Sequence, residues 1–250
     1  MSLESFDRKQ ILSLEQRSLR AWPALQTVSK SGWVQRLSGG YTKRANSINA
    51  LEPEVEFTQD LKSALEAAYI ERGLPPVWRL TPLAPAAADT GLAAAGYRRI
   101  DESLVQVAAL DDRFTLDPEV RFAHRPSAAW LAGFAELSPV APAHRETMER
   151  MLTSIAAPVG FASVEEAGQP IAFALAVAED GFVGLFDVLV APQARRRGLA
   201  RRLTQSVGAW GRAQGARHAY LQVVATNTAA LPLYTDLGFR TVYSYAYRVP

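Results

Sequence analysis

The chain has 250 residues, of which 48% are hydrophobic and 21% charged, with a net charge of +2; this predicts a folded globular protein and gives no general case for nucleic-acid binding. It has no cysteine and only three scattered histidines, His124, His144 and His218, so disulfides, thiolate metal sites and cysteine nucleophiles are excluded and we expect no metal centre. No apolar run approaches the roughly 18 residues of a membrane span, and the charged start does not resemble a signal peptide, so we expect a cytoplasmic protein without membrane contact.

The order of the predicted elements indicates a mixed α/β fold. In the first half we predict helices at 3–22, 59–72 and from Asp89 to Gly96, a hairpin at 31–50 around Gly39-Gly40, and strands at 77–80 and 103–110. The polar, turn-rich stretch 111–119 marks the expected domain boundary. In the second half we predict strands at 120–123, 182–190, 220–224 and 241–248, a hairpin of 159–165 with 171–178, and helices at 128–137, 143–155, 198–214 and 229–237.

An offset of 142 residues aligns features of the two halves. It places Gly73 on Gly215, Gly96 on Gly238, Tyr97 on Phe239 and Arg98 on Arg240. Helix–glycine–strand units also recur by chance in α/β proteins. Several matches at one offset, with each glycine ending a predicted helix, nevertheless favour two tandem copies of one supersecondary plan.

The most informative stretch is FVGLFDVLVAPQARRRGLARRL, at residues 182–203. A hydrophobic strand ends at Pro192, and an arginine-rich loop then leads to a helix that opens at Gly198. Free N–H groups at a helix start bind anions, and Gly198 would let a diphosphate approach the backbone. The helix dipole disfavours five arginines at this end, and a polyanion between them would make the cluster favourable. The five are Arg195, Arg196, Arg197, Arg201 and Arg202.

Competing nucleotide-binding and hydrolase motifs are absent from the sequence. Neither GxxxxGK[ST] nor GxGxxG occurs, which removes the main support for kinase and dinucleotide-binding readings. The GxSxG motif of a nucleophile elbow is missing as well.

Two motifs in the second half resemble the GCN5-related N-acetyltransferases. Val190-Ala191-Pro192 followed by Arg195-x-x-Gly198-x-Ala200 resembles the acetyl-coenzyme A loop of that family, (R/Q)xxGx(G/A). The later run from Asn227 through Tyr234 to Gly238-Phe239 resembles its second cofactor motif. The resemblance spans about residues 120–249. It implies the acyl-CoA N-acyltransferase fold, with a catalytic domain at 118–250 and a degenerate copy at 1–112.

The resemblance also implies a cofactor site and direct acetyl transfer to an amine. Backbone N–H groups of residues 197–200 would hold the pyrophosphate, the main chain of Leu189 and Val190 would pair with the pantetheine arm, and Asn227 would contact that arm. One main-chain N–H could polarise the thioester carbonyl. The implied cofactor-binding residues are Leu189, Val190, Arg195, Arg196, Arg197, Gly198, Leu199, Ala200, Asn227 and Tyr234.

Tyr234 and Asp187 are the candidate catalytic residues. The family places a tyrosine at position 234, where a phenol could protonate the leaving thiolate; the alternative is a tyrosine packed under the sheet. Asp187 alternates with Val183, Leu185 and Leu189 on one face of its strand, and a carboxylate among these apolar side chains suits a general base. The alternatives are a structural aspartate bonded to the backbone or to an arginine, and a proton relay through water. Weaker candidates for the base are Glu165, Glu166 and His144.

The first half lacks the motifs of the second. The 142-residue offset maps the arginine–glycine loop onto residues 53–58, where Glu54 and Glu56 would repel a diphosphate, and maps Tyr234 onto Leu92. We therefore expect no cofactor site there. Trp33, Arg44 and Asn46 are candidates for contacting the acceptor from this half, although such residues more often close a hairpin.

These observations predict an acetyl-CoA-dependent N-acetyltransferase, without metal, acting on the primary amine of a small molecule such as an amino acid. The alternative in another class is a protein that binds coenzyme A as a sensor without turnover. A nucleic-acid contact at the arginine cluster is a third interpretation, but the aromatic platforms and broad basic face that it needs are missing. We consider a homodimer as the oligomeric state.

Overall fold

The structure is a computed structural model that describes residues 6–52, 55–138 and 140–250. The described helices are α1 (Arg8–Ala21), α2 (Gln59–Ile70), α3 (Ala86–Ala94), α4 (Ala128–Leu137), α5 (Arg145–Thr153), α6 (Leu199–Ala213) and α7 (Leu231–Asp236). The described strands are β1 (Gln26–Lys30), β2 (Trp33–Leu37), β3 (Ile48–Ala50), β4 (Trp78–Leu80), β5 (Arg98–Ala109), β6 (Val120–Ala123), β7 (Val159–Glu166), β8 (Gln169–Glu179), β9 (Phe182–Val190), β10 (His218–Val224) and β11 (Arg240–Val249).

The chain divides into two compact units. The first unit holds the residues up to Val105 together with 224–226 and 241–250, and the second holds 106–223 and 227–240. The C-terminal strand β11 therefore belongs to the first unit, where it pairs antiparallel with β4. We predicted a companion domain at 1–112 and a catalytic domain at 118–250, divided as the two halves of the sequence. In the structure the last strand of the second half belongs to the first unit. The assignment of catalysis to the second domain, and of no cofactor site to the first, stays a prediction.

Each unit is built on a mixed sheet. In the first unit the strand order is β1-β2-β3-β4-β11-β5, and β3 and β4 are its parallel pair. In the second unit the order is β10-β9-β8-β7-β6, with β9 and β10 parallel and the other pairs antiparallel. A parallel pair needs a crossover connection, which α6 supplies between β9 and β10. The predicted mixed α/β class is confirmed.

The hydrogen bonds at the helix ends reproduce the 142-residue offset. Leu74 N–H donates to Tyr69 O, and its counterpart Ala216 N–H donates to Gly211 O. The second pair of helices ends in the same way, because Tyr97 N–H donates to Leu92 O and Phe239 N–H to Tyr234 O. The two halves thus repeat one helix–turn–strand plan, as the glycine spacing predicted.

Several predicted elements differ from the observed ones. Strand β1 was not predicted; it is exposed along its whole length and has no apolar alternation to mark it. The first helix begins after Asp7, which caps it, and residues 3–5 of the predicted helix lie outside the described residues. The last helix begins at Leu231 with Ala230 as N-cap, so the predicted start at 229 was wrong. Pro232 causes the late start, because it fits only the first turn of a helix.

A buried charged cluster anchors the C-terminal strand inside the first unit. Glu15 of α1 is 1% exposed and pairs with Arg79 of β4, which is 2% exposed. Tyr243 of β11 donates to the same carboxylate at 2.7 Å, and the guanidinium of Arg79 lies 3.7 Å from the ring centroid of Tyr245. Buried charges are tolerated only when paired in this way, so the cluster fixes the position of β11 on β4.

Candidate active site

A β-bulge interrupts β9 at Asp187. Leu175 of β8 faces Phe186, and Phe173 faces Leu189, so Ala174 alone opposes two residues of β9. Asp187 has φ +48°, in the left-handed region that aspartate tolerates better than most residues. A bulge leaves one residue out of the ladder and turns its neighbours. The simple alternation that we predicted for the face of this strand therefore ends before Asp187.

Strands β9 and β10 are paired only along their first halves. The parallel pairing runs from Phe182–His218 to Leu185–Leu221, and β9 continues beyond it to Val190. The same change is visible in burial, since residues 183–186 are buried and 187–190 are half-buried. The second unit thus contains an opening beside the end of β9. Leu189 and Val190 lie there, where we predicted that the pantetheine arm would add as an extra strand.

The loop after β9 delivers free backbone N–H groups at the start of α6. Gly198 is the N-cap residue with φ +78°, and among the described residues no side chain caps this helix start. Arg196 also has a positive φ, +63°. A Cβ at Gly198 would meet no described atom within 4 Å, so the backbone angle is what requires glycine in the protein itself, and the space in front stays open.

The arginine cluster is largely neutralised by carboxylates. We predicted that a polyanion would make the cluster favourable, but for three of the five arginines acidic side chains of the protein already do so, and contact of the cluster with the cofactor stays a prediction. Arg195 makes a long bond to Val190 O (3.4 Å), and Arg196 forms no hydrogen bond or ion pair with the described residues. The acidic partners are Glu166 for Arg197 (3.1 Å), Asp236 for Arg201 (2.8 Å), and Asp117 (2.6 Å) and Glu119 for Arg202.

Tyr234 projects from α7 into the same part of the second unit. It is 8% exposed, its ring packs edge-on against Phe239 at 5.7 Å, and its hydroxyl makes no hydrogen bond to the described residues. Burial, and then the negative charge of Asp187, raises the pKa of Tyr234 to about 12. The two predicted catalytic residues thus lie within each other's electrostatic field, and the phenol is protonated at neutral pH.

Asn227 shapes the turn before α7. Its Oδ1 and its carbonyl oxygen both accept the N–H of Ala230 at 3.1 Å, and the carbonyl also accepts from Leu231. The side chain is exposed, so its amide N–H groups face solvent. Asn227 therefore has a structural role in this turn, while its contact with the cofactor arm stays a prediction.

The acceptor-contact candidates of the first unit have structural partners. Trp33 is fully buried, donates to Glu56 O at 2.9 Å and packs on Trp78 at 5.1 Å, so an acceptor could not reach it in this conformation. The amide of Asn46 closes its own loop, accepting from Ser38 and Gly40 and donating to the carbonyls of Tyr41 and Thr42. Arg44 stacks on Trp22 at 4.3 Å. These contacts fit a structural role for Trp33, Arg44 and Asn46 in the hairpin better than contact with an acceptor.

The weaker candidates for the general base lie at the edge of the second unit. Glu165 and Glu166 are exposed at the end of β7, and the bond from Arg197 keeps the pKa of Glu166 below its usual value. His144 is half-buried at the start of α5. Two glutamates of the first half were expected to repel a diphosphate. Of these, Glu56 is exposed, and Glu54 lies outside the described residues.

The bulge, the diverging strands and the acidic partners of the arginines were missed from sequence. One signal was present, because an aspartate inside an apolar strand marks a residue that tolerates a positive φ. Glu166 and Asp117 gave no local signal, as they lie 31 and 85 residues from their arginines.

A strand that diverges from its parallel neighbour and leads into an uncapped helix start is the arrangement of the GCN5-related acyltransferase fold. Solved structures agree: the chain resembles "GCN5-related N-acetyltransferase from Kribbella flavida" (TM-score 0.64, 18% identity, 96% of this chain and 93% of that one). It also resembles a "Tandem GNAT protein from the clavulanic acid biosynthesis pathway" (TM-score 0.60, 12% identity, 99% and 90%), which supports the tandem fold.

Sequence comparison gives the same result at the family level. The chain belongs to the family described as "Probable histone acetyltransferase Rv0428c C-terminal", whose model matches residues 9–248. It is 27% identical to "Uncharacterized N-acetyltransferase YobR" of Bacillus subtilis (strain 168), over 96% of this chain and 98% of the relative. The protein is therefore an N-acetyltransferase, and its fold family uses acetyl-CoA as acyl donor.

Two kinds of feature are absent from the described residues. These residues contain no helix that is long and apolar enough to cross a membrane. They also contain no group of three or more histidine, aspartate or glutamate side chains that could hold a metal ion.

Proposed function

We propose that the protein transfers the acetyl group of acetyl-CoA to the primary amine of a small molecule, an amino acid being one candidate. One observation carries the proposal: Asp187 lies where β9 has separated from β10, and its charge contributes to the raised pKa of Tyr234, which brings the candidate base and acid to one place. Both groups are recessed, with Asp187 half-buried and Tyr234 buried. A recessed site admits a narrow primary amine.

The residues around the helix start fit the donor. The uncapped N–H groups and the open space in front of Gly198 suit a diphosphate, and Arg196 adds a guanidinium group without a partner among the described residues. We assign the pyrophosphate to the N–H groups of residues 197–200, and the pantetheine arm to the main chain of Leu189 and Val190. When bound there, acetyl-CoA supplies the activated thioester.

Asp187 and Tyr234 divide the proton transfers between them. The carboxylate of Asp187 accepts a proton from the attacking amine, directly or through water, as the N–C bond forms and the C–S bond breaks. The phenol of Tyr234 donates its proton to the departing sulfur. A main-chain N–H at the bulge is suited to polarise the thioester carbonyl, because a bulge takes one residue out of the ladder.

The charge on Asp187 links these two steps. A phenol with a pKa of about 12 is a weak donor to a thiolate whose conjugate acid has a reference pKa of about 8.5. Asp187 in its charged form is one of the two causes of that raised pKa. Once Asp187 has taken the amine proton it is neutral, so Tyr234 becomes a stronger acid when it has to donate.

Thiol release from acetyl-CoA across a panel of amines tests the proposal. We expect turnover with at least one small primary amine, such as a free amino acid, and little with histone-tail peptides that carry lysine. Turnover confined to the peptides would contradict the small-molecule acceptor. A thermal shift with acetyl-CoA but no turnover on either set would support the sensor alternative.

Replacing Asp187 with asparagine separates a base from a structural aspartate. Asparagine also tolerates a positive φ, so the bulge and the fold should persist. If Asp187 is the base, kcat at neutral pH should fall about 100-fold while the melt shift with acetyl-CoA is kept. A decrease below about threefold would assign the proton transfer to water and leave Asp187 a structural role.

A further inference from the structure

The segment 111–119 is fastened along α6 at both of its ends. At one end Arg212 donates to Asp111 O (3.0 Å), and at the other Ser206 Oγ accepts from the N–H of Asp117 (3.0 Å). In between, Gln205 donates to the carbonyl oxygen of Arg113 at 2.8 Å. We expected a domain linker here. The observed contacts make this stretch part of the second unit, fixed to the helix that begins at the proposed pyrophosphate site.

The helix that carries Tyr234 cannot hold its own orientation. α7 has six residues, well below the length at which an isolated helix is stable. Its end is closed by two bonds, from Gly238 N–H to Thr235 O (2.9 Å) and from Phe239 N–H to Tyr234 O (3.0 Å). The direction of the phenol therefore depends on what packs against residues 238 and 239.

Two neighbouring residues of segment 111–119 pack there. The guanidinium of Arg113 fills the space beside Gly238, since a Cβ at Gly238 would lie 2.2 Å from its Nη1. Gly238 has φ +85°, a backbone angle that strains any side chain at this position, and the guanidinium of Arg113 occupies the space into which one would point. The ring of Phe114 meets Phe239 edge-on at 6.1 Å, and Phe239 in turn meets Tyr234 at 5.7 Å.

The charge and orientation of Arg113 suit this place. Asp111 accepts three bonds from the guanidinium, from Nε to Oδ1 (2.9 Å) and Oδ2 (3.0 Å) and from Nη2 to Oδ2 (2.7 Å), and Nη1 is the nitrogen nearest Gly238. A positive charge at the C-terminal end of a helix is favourable, because the last carbonyl oxygens carry a partial negative charge. Arg113 thus stabilises the end of α7 through both packing and charge.

We propose that Arg113 is a positioning residue that holds α7 so that the phenol of Tyr234 faces Asp187 and the site of acetyl transfer. This rests on the proposed function, in which Tyr234 is the acid. Arg113 acts through Gly238 at the end of α7, while its neighbour Phe114 packs on Phe239, and neither residue is assigned a contact with the reacting atoms.

A double-mutant cycle tests the proposal. Arg113→Ala should lower kcat about tenfold, leave KM for acetyl-CoA within about twofold, and have no further effect when Tyr234 is already phenylalanine. Arg113→Lys should restore most of the loss, because it keeps the charge. Arg212→Ala is the matched control: it removes one of the bonds that hold segment 111–119 on α6 but nothing that packs on Gly238, and it should leave kcat near that of the wild type.

The outcomes of the cycle are distinguishable. If Arg113→Ala lowers kcat equally with and without the Tyr234 hydroxyl, or raises KM for acetyl-CoA in parallel, the positioning role is wrong while the proposed function stands. If Tyr234→Phe itself retains wild-type kcat, the acid assignment fails and the positioning role fails with it.

A second readout needs no acceptor. The phenolate absorbance of wild type minus that of Tyr234→Phe reports the ionisation of Tyr234 alone. At about pH 10.5 we expect this tyrosine to remain protonated in the wild type and to ionise in Arg113→Ala, as it moves towards the ordinary tyrosine pKa of about 10. An unchanged titration would overturn the proposal even if the amine panel gave no turnover.

Discussion

Replacing Gly198 with aspartate should abolish the binding of acetyl-CoA. The new side chain places a negative charge at the uncapped start of α6, where the proposal puts the pyrophosphate, and it strains a residue with φ +78°. In the wild type, ligand at a hundred times its Kd should add about 2.7 kcal/mol of stability, which raises Tm by roughly 5–11 °C for a chain of this size. For the variant we expect no shift.

The C-terminal end of α6 provides a matched control. Gly215 also has a positive φ (+85°), and a Cβ there would likewise meet no described atom within 4 Å. Gly215→Asp therefore carries a similar backbone strain and an equal charge, but far from the proposed site. It should lower Tm without ligand and keep the acetyl-CoA shift. Loss of the shift in both variants, or in neither, would contradict the location of the pyrophosphate.

Much of the second unit could be predicted from local sequence. The strand that ends before Pro192 and the helix after Ser127 have the predicted bounds, because β-branched residues, proline and the serine cap act within a few residues. The pairing of Gly96 with Gly238 also came from spacing alone. Motif positions such as Gly198 and Tyr234 depend on short-range patterns of this kind.

The remaining features depend on contacts between residues distant in sequence. Arg202 pairs with Asp117, which lies 85 residues away in the sequence. The sequence therefore could not show that the charge of Arg202 is balanced without a phosphate. The position of β11 in the first unit depends on the bond between Tyr243 and Glu15, which are 228 residues apart. The bulge at Asp187 is a property of the register between two strands, which alternation along one strand cannot reveal.

Replacing Tyr234 with phenylalanine should slow turnover by about 100-fold or more and leave binding and stability nearly intact. General acid catalysis contributes about 10²- to 10⁴-fold to a rate, and only the proton-donating hydroxyl is removed. The fold should tolerate the change, because that hydroxyl makes no hydrogen bond to the described residues and the edge-on contact with Phe239 needs only the ring. Steady-state kinetics and a thermal melt with acetyl-CoA give both quantities.

Tyr220→Phe is the control for this variant. Tyr220 is a buried tyrosine of the same unit, on β10, and packs against Phe186 at 5.9 Å within the paired half of the strands. Its kcat should stay within about threefold of the wild type, since no proton transfer is assigned to it. Equal losses in the two variants would mean that removing any buried hydroxyl disturbs this unit, and would argue against the acid role.

The pH dependence of kcat gives an independent test of Tyr234. Because burial and Asp187 raise its pKa to about 12, the phenol keeps its proton well above the ordinary tyrosine value of about 10. Below about pH 12 the protonated phenol, which is the proton donor, is the populated form, so deprotonation of Tyr234 should produce no decrease of kcat between pH 8 and pH 10.5. The tyrosine-dependent part of the rate, wild type minus Tyr234→Phe, should therefore be flat in this window. A decrease centred near pH 10 would show that the phenol titrates like an exposed tyrosine and is not held beside Asp187 as the structure has it.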